Sequence, residues 1–263
     1  MKKYIPLKTS WEVDKIRKSC QLAEEILKDL ICRVAPGVTP HNLDRLAAEM
    51  VEKSGARRAI PGDFPGTICV SVNEIAVHGI PSSLPLKEGD LLTIDLSLSL
   101  DGWCGDGAWC CLVGSGNDDT RRLLKATWRA SQAGIAAARA GGRLGDIGYA
   151  INQEAVANRC CVIEECAGHG LGTSLHEEPV IPNTGMPGAG DRIVPGMVFT
   201  IEPVLSLGSC AISKVPDGWG MVTSDGSVTA QFEHTVAVFR DFTEVLTFPT
   251  ATIGDHLDFP PSF

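Results

Sequence analysis

The stretch LLTIDLSLSLDGWCGDGAWCCLVG, Leu91 to Gly114, reads as a β-hairpin, and the pairing it imposes governs much of the rest. Leu92, Ile94, Leu96, Leu98 and Leu100 alternate with Thr93, Asp95, Ser97 and Ser99, the period-two pattern of a strand with one apolar face. Asp101-Gly102 is a two-residue turn signal, because both residue types tolerate the positive φ that tight hairpin turns require. Pairing across that turn puts Ser97 opposite Asp106, and opposed residues share a face. Asp106 then becomes the diagonal neighbour of Asp95, near enough for the two carboxylates to hold bridged cations. A one-residue bulge would undo the arrangement. For the hairpin alone a solvated polar face is the simpler reading, so further acids have to decide.

The hairpin sits between helical stretches. Upstream, Thr9-x-x-Glu12 is a capping box opening an amphipathic run with Ile16, Leu22, Ile26, Leu27 and Leu30, which ends near Pro36-Gly37. Thr39 caps a second run with Pro40 in its first turn and Leu43, Leu46, Ala47 and Met50 on one side, closing at Gly55. Strands are expected over 67–72 and 90–100. Downstream the order recurs: a helix over about 119–140, a Gly141-Gly142 break, a shorter helix over about 144–158, then strands. Two helix-helix-strand units in the same order read as an internal pseudo-repeat, an arrangement that places a site between the halves. Hairpin signals outnumber β-α-β signals, so the expectation is one α/β domain over residues 1–263, of the α+β type with a mainly antiparallel sheet.

Two further acids stand in strand-like apolar runs, Glu202 in MVFTIEPVL and Glu233 in TAQFEHTVAVF, with no lysine or arginine within several residues of either. A buried carboxylate needs a cation, a hydrogen bond or a proton. An exposed strand face is the bland alternative for each. The run AGHGLGTSLHEEP, Ala167 to Pro179, adds His169 and His176 among glycines, and NEIAVHGIP adds His78 before a turn. Imidazole among oxygen ligands suits a transition metal better than calcium or magnesium. The charge on Asp95, Asp106, Glu202 and Glu233 matches two divalent cations, leaving a bridging hydroxide as nucleophile. Co, Mn, Fe and Zn all suit such a site.

Composition narrows the class. A net charge of −9 argues against direct nucleic-acid binding, which needs concentrated Lys and Arg. The basic N-terminus MKKYIPLKTSWEVDK lacks the apolar core of an export signal, and no segment is long enough to span a membrane, so a cytoplasmic protein is expected. In that compartment the ten cysteines are expected to be reduced and packed as small apolar side chains, including the adjacent pairs Cys110-Cys111 and Cys160-Cys161, which fall in strand-like apolar runs.

From about Trp11 to Leu246 the chain resembles the pita-bread metalloproteases, and most closely the type I methionine aminopeptidases. The resemblance is carried, in the family's order, by SVNEIAVHGIP, the pair Asp95 and Asp106, GHGLGTSLHEEP, PGMVFTIEP and DGWGMVTSDGSVTAQFEHT. It implies a pita-bread fold, a pseudo-two-fold repeat whose curved antiparallel sheet is covered by helices. It implies two divalent ions held by Asp95, Asp106, His169, Glu202 and Glu233, with Asp106 and Glu233 bridging and Glu202 also acting as general base. His78 and His176 would flank the scissile bond, His176 on the substrate amide or the tetrahedral intermediate and His78 on the scissile group or its leaving amine. Phe64, Cys69, Leu175 and Trp219, with the two flanking histidines, would line the substrate pocket. Backbone carbonyls of Asn73, Ile75 and Thr229 would hold Na or K. The implied activity removes the initiator methionine from nascent polypeptides when the next residue is small, near the ribosome, by a monomer.

Alternatives in the same fold are a Xaa-Pro peptidase and a weakly active paralogue that binds nascent chains. The first usually carries a large N-terminal domain for which there is no room before the first strands; the second has no reason to keep clustered carboxylates. The long insertion of type II enzymes does not fit between His176 and Glu202. The chain departs from the family pattern in lacking tyrosines before Cys69, and in having Leu175 where an aromatic is common and Gly107 where Thr or Ser follows the bridging Asp. These departures bear on the pocket, and Leu175 implies a narrower margin of Met over Leu. His234, on the other side of its strand from Glu233, is expected to be structural and tolerant of substitution.

Overall fold

The computed structural model of the chain describes residues 4–247. Its first helix, α1 (Ser10–Ile31), starts where the capping box places it: the Thr9 amide donates to Glu12 Oε2 at 2.7 Å and the Glu12 amide donates to Thr9 Oγ1 at 3.3 Å. α2 (Pro40–Lys53) begins with Thr39 accepting from the Asn42 amide. After the short strands β1 (Arg57–Arg58), β2 (Cys69–Val72) and β3 (Ile75–Val77) comes the long hairpin of β4 (Leu91–Leu100) and β5 (Trp103–Leu112). Helices α3 (Asp118–Ala137) and α4 (Leu144–Ala157) then repeat the order of α1 and α2, α3 being capped by Asn117.

The remaining strands are short: β6 (Cys161–Val162), β7 (Gly168–Gly170), β8 (Glu177–Ile181), β9 (Val198–Ile201), β10 (Val204–Ser206), β11 (Ile212–Lys214), β12 (Met221–Thr223), β13 (Thr229–Gln231), β14 (Glu233–Val238) and β15 (Thr243–Val245). The main sheet runs β1-β4-β5-β14-β9-β7-β8, with β2 beside β4 and β15 beside β14, and every pairing recorded in it is antiparallel. β5 and β14 pair where the two halves meet, so the expected pseudo-repeat closes into one continuous sheet.

The hairpin register is the expected one. Asp101 and Gly102 take φ of 53° and 83°, and Ser97 lies opposite Asp106. The strand is buried on both faces, however, with Thr93, Ser97 and Asp106 nearly inaccessible, so the solvated-face reading is excluded. Ile94, Leu96 and Leu98 join Ala23, Leu27 and Leu30 of α1 and Leu123 and Trp128 of α3 in the main core. α1 approaches β5 so closely at Gly105 that a Cβ there would lie 2.3 Å from the Ser19 carbonyl carbon, so only glycine fits.

Two strand expectations need correction. Glu202 lies just past the end of β9, because Pro203 cannot donate to the ladder and the chain leaves the main sheet to form β10. Cys160 precedes the short β6 and only Cys161 is in a strand. All ten cysteines are free thiols, and among the described residues no helix is long and apolar enough to cross a membrane.

Candidate active site

The sheet register builds the site. Cys69 on β2 is opposite Asp95 on β4, Asp95 is opposite Ala108 on β5, and Ala108 is opposite Glu233 on β14. Opposed residues share a face, so these four form one row across four strands, and the small Ala108 leaves space between the two acids. Ile201 is opposite His234, which brings Glu202, the next residue, alongside Glu233. Asp106 stands two pairs further along the hairpin, the next position on the same face, held by a 2.7 Å hydrogen bond from Ser97. Asp95, Asp106, Glu202 and Glu233 therefore converge although they come from distant parts of the chain.

His169, on β7, completes the cluster. Its Nε2 lies 3.5 Å from Asp106 Oδ2 and 3.6 Å from Glu202 Oε1, while its Nδ1 faces the Gly170 carbonyl at 3.1 Å. A carbonyl only accepts, so Nδ1 carries a proton, and Nε2, turned to the acids, is the nitrogen left for a metal to take up. One donor atom each from Asp106, His169 and Glu233 lie within 4.8 Å of one another.

The electrostatics match a cation site. Burial, reinforced by the charges of Asp106 and Glu202, raises Asp95 and Glu233 well above the usual carboxylate range. Burial pushes Glu202 up to about 7 against the opposing pull of His169. His169 is disfavoured as a cation by burial, but Asp106 and Glu202 outweigh this and raise it to about 9. Among the described residues Glu233 Oε1 is buried with no hydrogen-bond partner, an arrangement that costs free energy unless a cation takes the lone pairs. The donor set of oxygens plus one imidazole nitrogen fits divalent transition ions.

A cavity of about 770 Å³ opens onto this cluster. Every predicted pocket residue lines it: Phe64, Cys69, His78, Leu175, His176 and Trp219, together with the four acids Asp95, Asp106, Glu202 and Glu233 and with His169. Phe64 and Trp219 meet edge to face at 5.2 Å, and His176 meets His169 edge to face at 4.3 Å. Burial lowers His78, helped by Lys214, and lowers His176, helped by His169, so both are neutral at pH 7. Cys69 is kept a protonated thiol by burial and by the charge of Asp95. Outside the cavity, the Asn73 and Ile75 carbonyls both accept from Thr229 Oγ1, at 2.9 and 3.0 Å, so the three predicted cation-site residues are neighbours.

Several supporting residues escaped sequence reasoning. Thr200 Oγ1 donates to Glu202 Oε1 at 2.7 Å and Gln231 Nε2 reaches Glu202 Oε2 at 3.4 Å. Each stands two residues before an acid of the cluster, and that same-face spacing was the available signal. Lys8 pairs with the half-buried Glu177 beside His176 across 169 positions, for which local sequence carries no signal.

Residues 14–239 match the model of metallopeptidase family M24. The chain belongs to that family. It is 39% identical over 245 residues to the methionine aminopeptidase of Clostridium perfringens, covering 92% of this chain and 98% of that one. The crystal structure of methionine aminopeptidase from Rickettsia prowazekii superposes with a TM-score of 0.91 at 38% identity, covering 93% of this chain and all of that one. The prolidase of Pyrococcus furiosus, at 21% identity, TM-score 0.70, 93% of this chain and 66% of its own, shares the fold. The M24 chain is accordingly a metal-dependent aminopeptidase with the pita-bread fold.

Proposed function

We propose that the carboxylate cluster holds two divalent cations, Co, Mn, Fe or Zn, and that the enzyme removes the initiator methionine from nascent polypeptides whose next residue is small. The observation that carries this is the row of acids across the sheet, with His169 presenting Nε2 to it and Glu233 Oε1 otherwise unpartnered. Asp95, Asp106, His169, Glu202 and Glu233 would hold the ions. When bound, the ions supply the Lewis acidity that makes water a nucleophile towards the first peptide carbonyl at neutral pH.

The protein's own groups do the rest. Glu202, with its carboxylate aimed by Thr200 and Gln231, accepts a proton from the attacking water. His176, neutral and beside His169, hydrogen-bonds the reacting amide; His78, neutral at the cavity mouth, positions the leaving amine. Phe64, Cys69, Leu175 and Trp219 offer the apolar and aromatic walls that a flexible thioether fills well. The crowded acids next to that slot restrict the second residue to Gly, Ala or Ser. The Asn73, Ile75 and Thr229 carbonyls take Na or K. The enzyme works as a cytoplasmic monomer on chain ends emerging near the ribosome, without contacting nucleic acid or membrane.

The test compares Met-Gly-Met-Met, Met-Leu-Met-Met and Ala-Pro-Ala before chelation, after it and after reloading with Mn or Co. Turnover of the first peptide alone, lost on chelation and regained with metal, is the expected result. Turnover of Ala-Pro-Ala would reassign the substrate, and full activity in metal-free protein would sink the cation site.

A further inference from the structure

Arg58 ends the two-residue strand β1, paired to Leu98 at the edge of the main sheet, and its side chain turns to the loop that follows. Nη1 donates to the carbonyls of Phe64 at 2.8 Å and Gly66 at 2.6 Å, and Nη2 donates to the carbonyl of Gly62 at 2.7 Å. Among the described residues no carboxylate pairs with it, so the guanidinium is committed to these three backbone oxygens. A loop rich in Gly and Pro has few contacts of its own, and it would otherwise leave three carbonyls to water.

What the loop delivers is Phe64, whose side chain is 2% exposed and packs edge to face on Trp219. The far end of the loop is anchored separately: Asp44 Oδ1 accepts from the amides of Thr67 and Ile68 at 2.6 and 3.0 Å. Gly66 is boxed in, since a Cβ there would lie 3.0 Å from Phe64 Cε1 and 3.1 Å from both Ile68 O and Pro81 Cδ. On the opposing wall, Asp217 Oδ1 pins the Trp219 and Gly220 amides at 2.8 and 3.0 Å. The space between the two walls is therefore set by how each backbone is held, and Arg58 is the side chain that holds the Phe64 side.

We propose that Arg58 is a specificity-determining positioning residue. By gathering the carbonyls of Gly62, Phe64 and Gly66 it fixes the Phe64 ring against Trp219 and sets the width of the slot for the first side chain of the substrate. The planar fork spreads its donors over two nitrogens held at a fixed angle, whereas the lysine ammonium donates from a single atom on a flexible stem. The inference rests on the reading of this cavity as the methionine pocket.

The experiment measures kcat and KM of wild type, Arg58→Met and Arg58→Lys, all metal-loaded, on Met-Gly-Met-Met and Leu-Gly-Met-Met. A loosened slot weakens binding of the preferred side chain most, so Arg58→Met should raise KM for the Met peptide about 10-fold, leave kcat within about 2-fold, and lower the Met/Leu ratio of kcat/KM about 5-fold. Arg58→Lys, retaining charge and stem, should fall between the two, and it serves alone if Arg58→Met does not fold. An unchanged Met/Leu ratio in the folded variants, or a parallel fall of kcat on both peptides, overturns the role of Arg58. A wild-type enzyme without preference for Met over Leu overturns the reading of the cavity itself.

Discussion

His169 and His234 are both largely withdrawn from water, yet one is a strong base and the other scarcely basic. His169 faces the acids of the cavity, and Asp106 and Glu202 raise it to about 9 in spite of burial. His234 belongs to the neighbouring row of the same sheet, opposite Gly107 and Ile201, and so points to the helix-covered side. There it is boxed by Trp109 and Trp128, each with its ring centre 5.8 Å away; its Nδ1 meets Thr247 Oγ1 at 2.8 Å, and burial drives it down to about 3. One step along β14, from Glu233 to His234, crosses from a face built to hold charge to a face built to exclude it. The lesson is that side-chain type says little about a buried imidazole until the charges and dipoles on its face of the sheet are counted.

That contrast predicts opposite phenotypes, and the cavity side should give the larger effect. His169→Ala removes the lone pair aimed at the acids, so kcat/KM should fall by at least ~10²-fold, with bound metal in the dialysed protein lowered in parallel. Thermal stability should fall only modestly, through the metal no longer bound, because the substitution opens no cavity in the apolar core. Elemental analysis and a melting curve on the same sample check both parts, and retention of full metal content and activity would remove His169 from the site.

His234→Ala should do the reverse. Its complete burial makes truncation costly where the sequence led us to expect tolerance: it leaves a cavity among aromatic rings and strips Thr247 of its partner. Such losses cost about 2–4 kcal/mol. Its pKa is depressed on folding, so the unfolded chain binds the extra proton between about 3 and 6.5, and wild-type stability from this group is present above pH 6.5 and lost towards pH 3. His234→Asn should therefore be less stable at pH 7 and show a shallower decline on acidification. Urea midpoints at several pH values measure this; an unaltered slope would mean that His234 is not the acid-sensitive group.

The same contrast shows where sequence is informative. Asp95 and Asp106 could be placed together from the chain because a two-residue turn fixes the register of every pair behind it, and that register is the observed one. The capping residues Thr9 and Thr39 likewise act within one helical turn. Glu202, Glu233 and His169 lie on strands of three to six residues or at their ends, joined through partners far away in sequence. Their convergence was legible only through resemblance to a family, since no local rule sets the β5-β14-β9 pairing. Arg58 and Lys8 were invisible for the same reason: each acts on backbone or side chains whose position the tertiary fold decides.

The smallest expected effect concerns the support of the apolar cage. Trp109, one wall around His234, donates its indole N–H to Glu24 Oε2 at 2.8 Å, and burial raises Glu24 to about 7 although Trp109 and Lys28 favour its charged form. A raised carboxyl means that the folded protein holds a proton which the unfolded chain releases above about 4.5. The stability contributed by Glu24 is therefore complete below pH 4.5 and is lost as pH rises through about 7, opposite in sign to that of His234. Gln at this position keeps an oxygen for the indole and cannot ionise. Glu24→Gln should match wild type near pH 4.5 and exceed it at pH 8 by on the order of 1 kcal/mol, with catalysis unchanged because the residue lies on the far side of the sheet from the acids. Paired urea titrations at the two pH values decide it: a stability difference that does not vary with pH would show that Glu24 titrates normally and that the cage around His234 does not depend on its protonation.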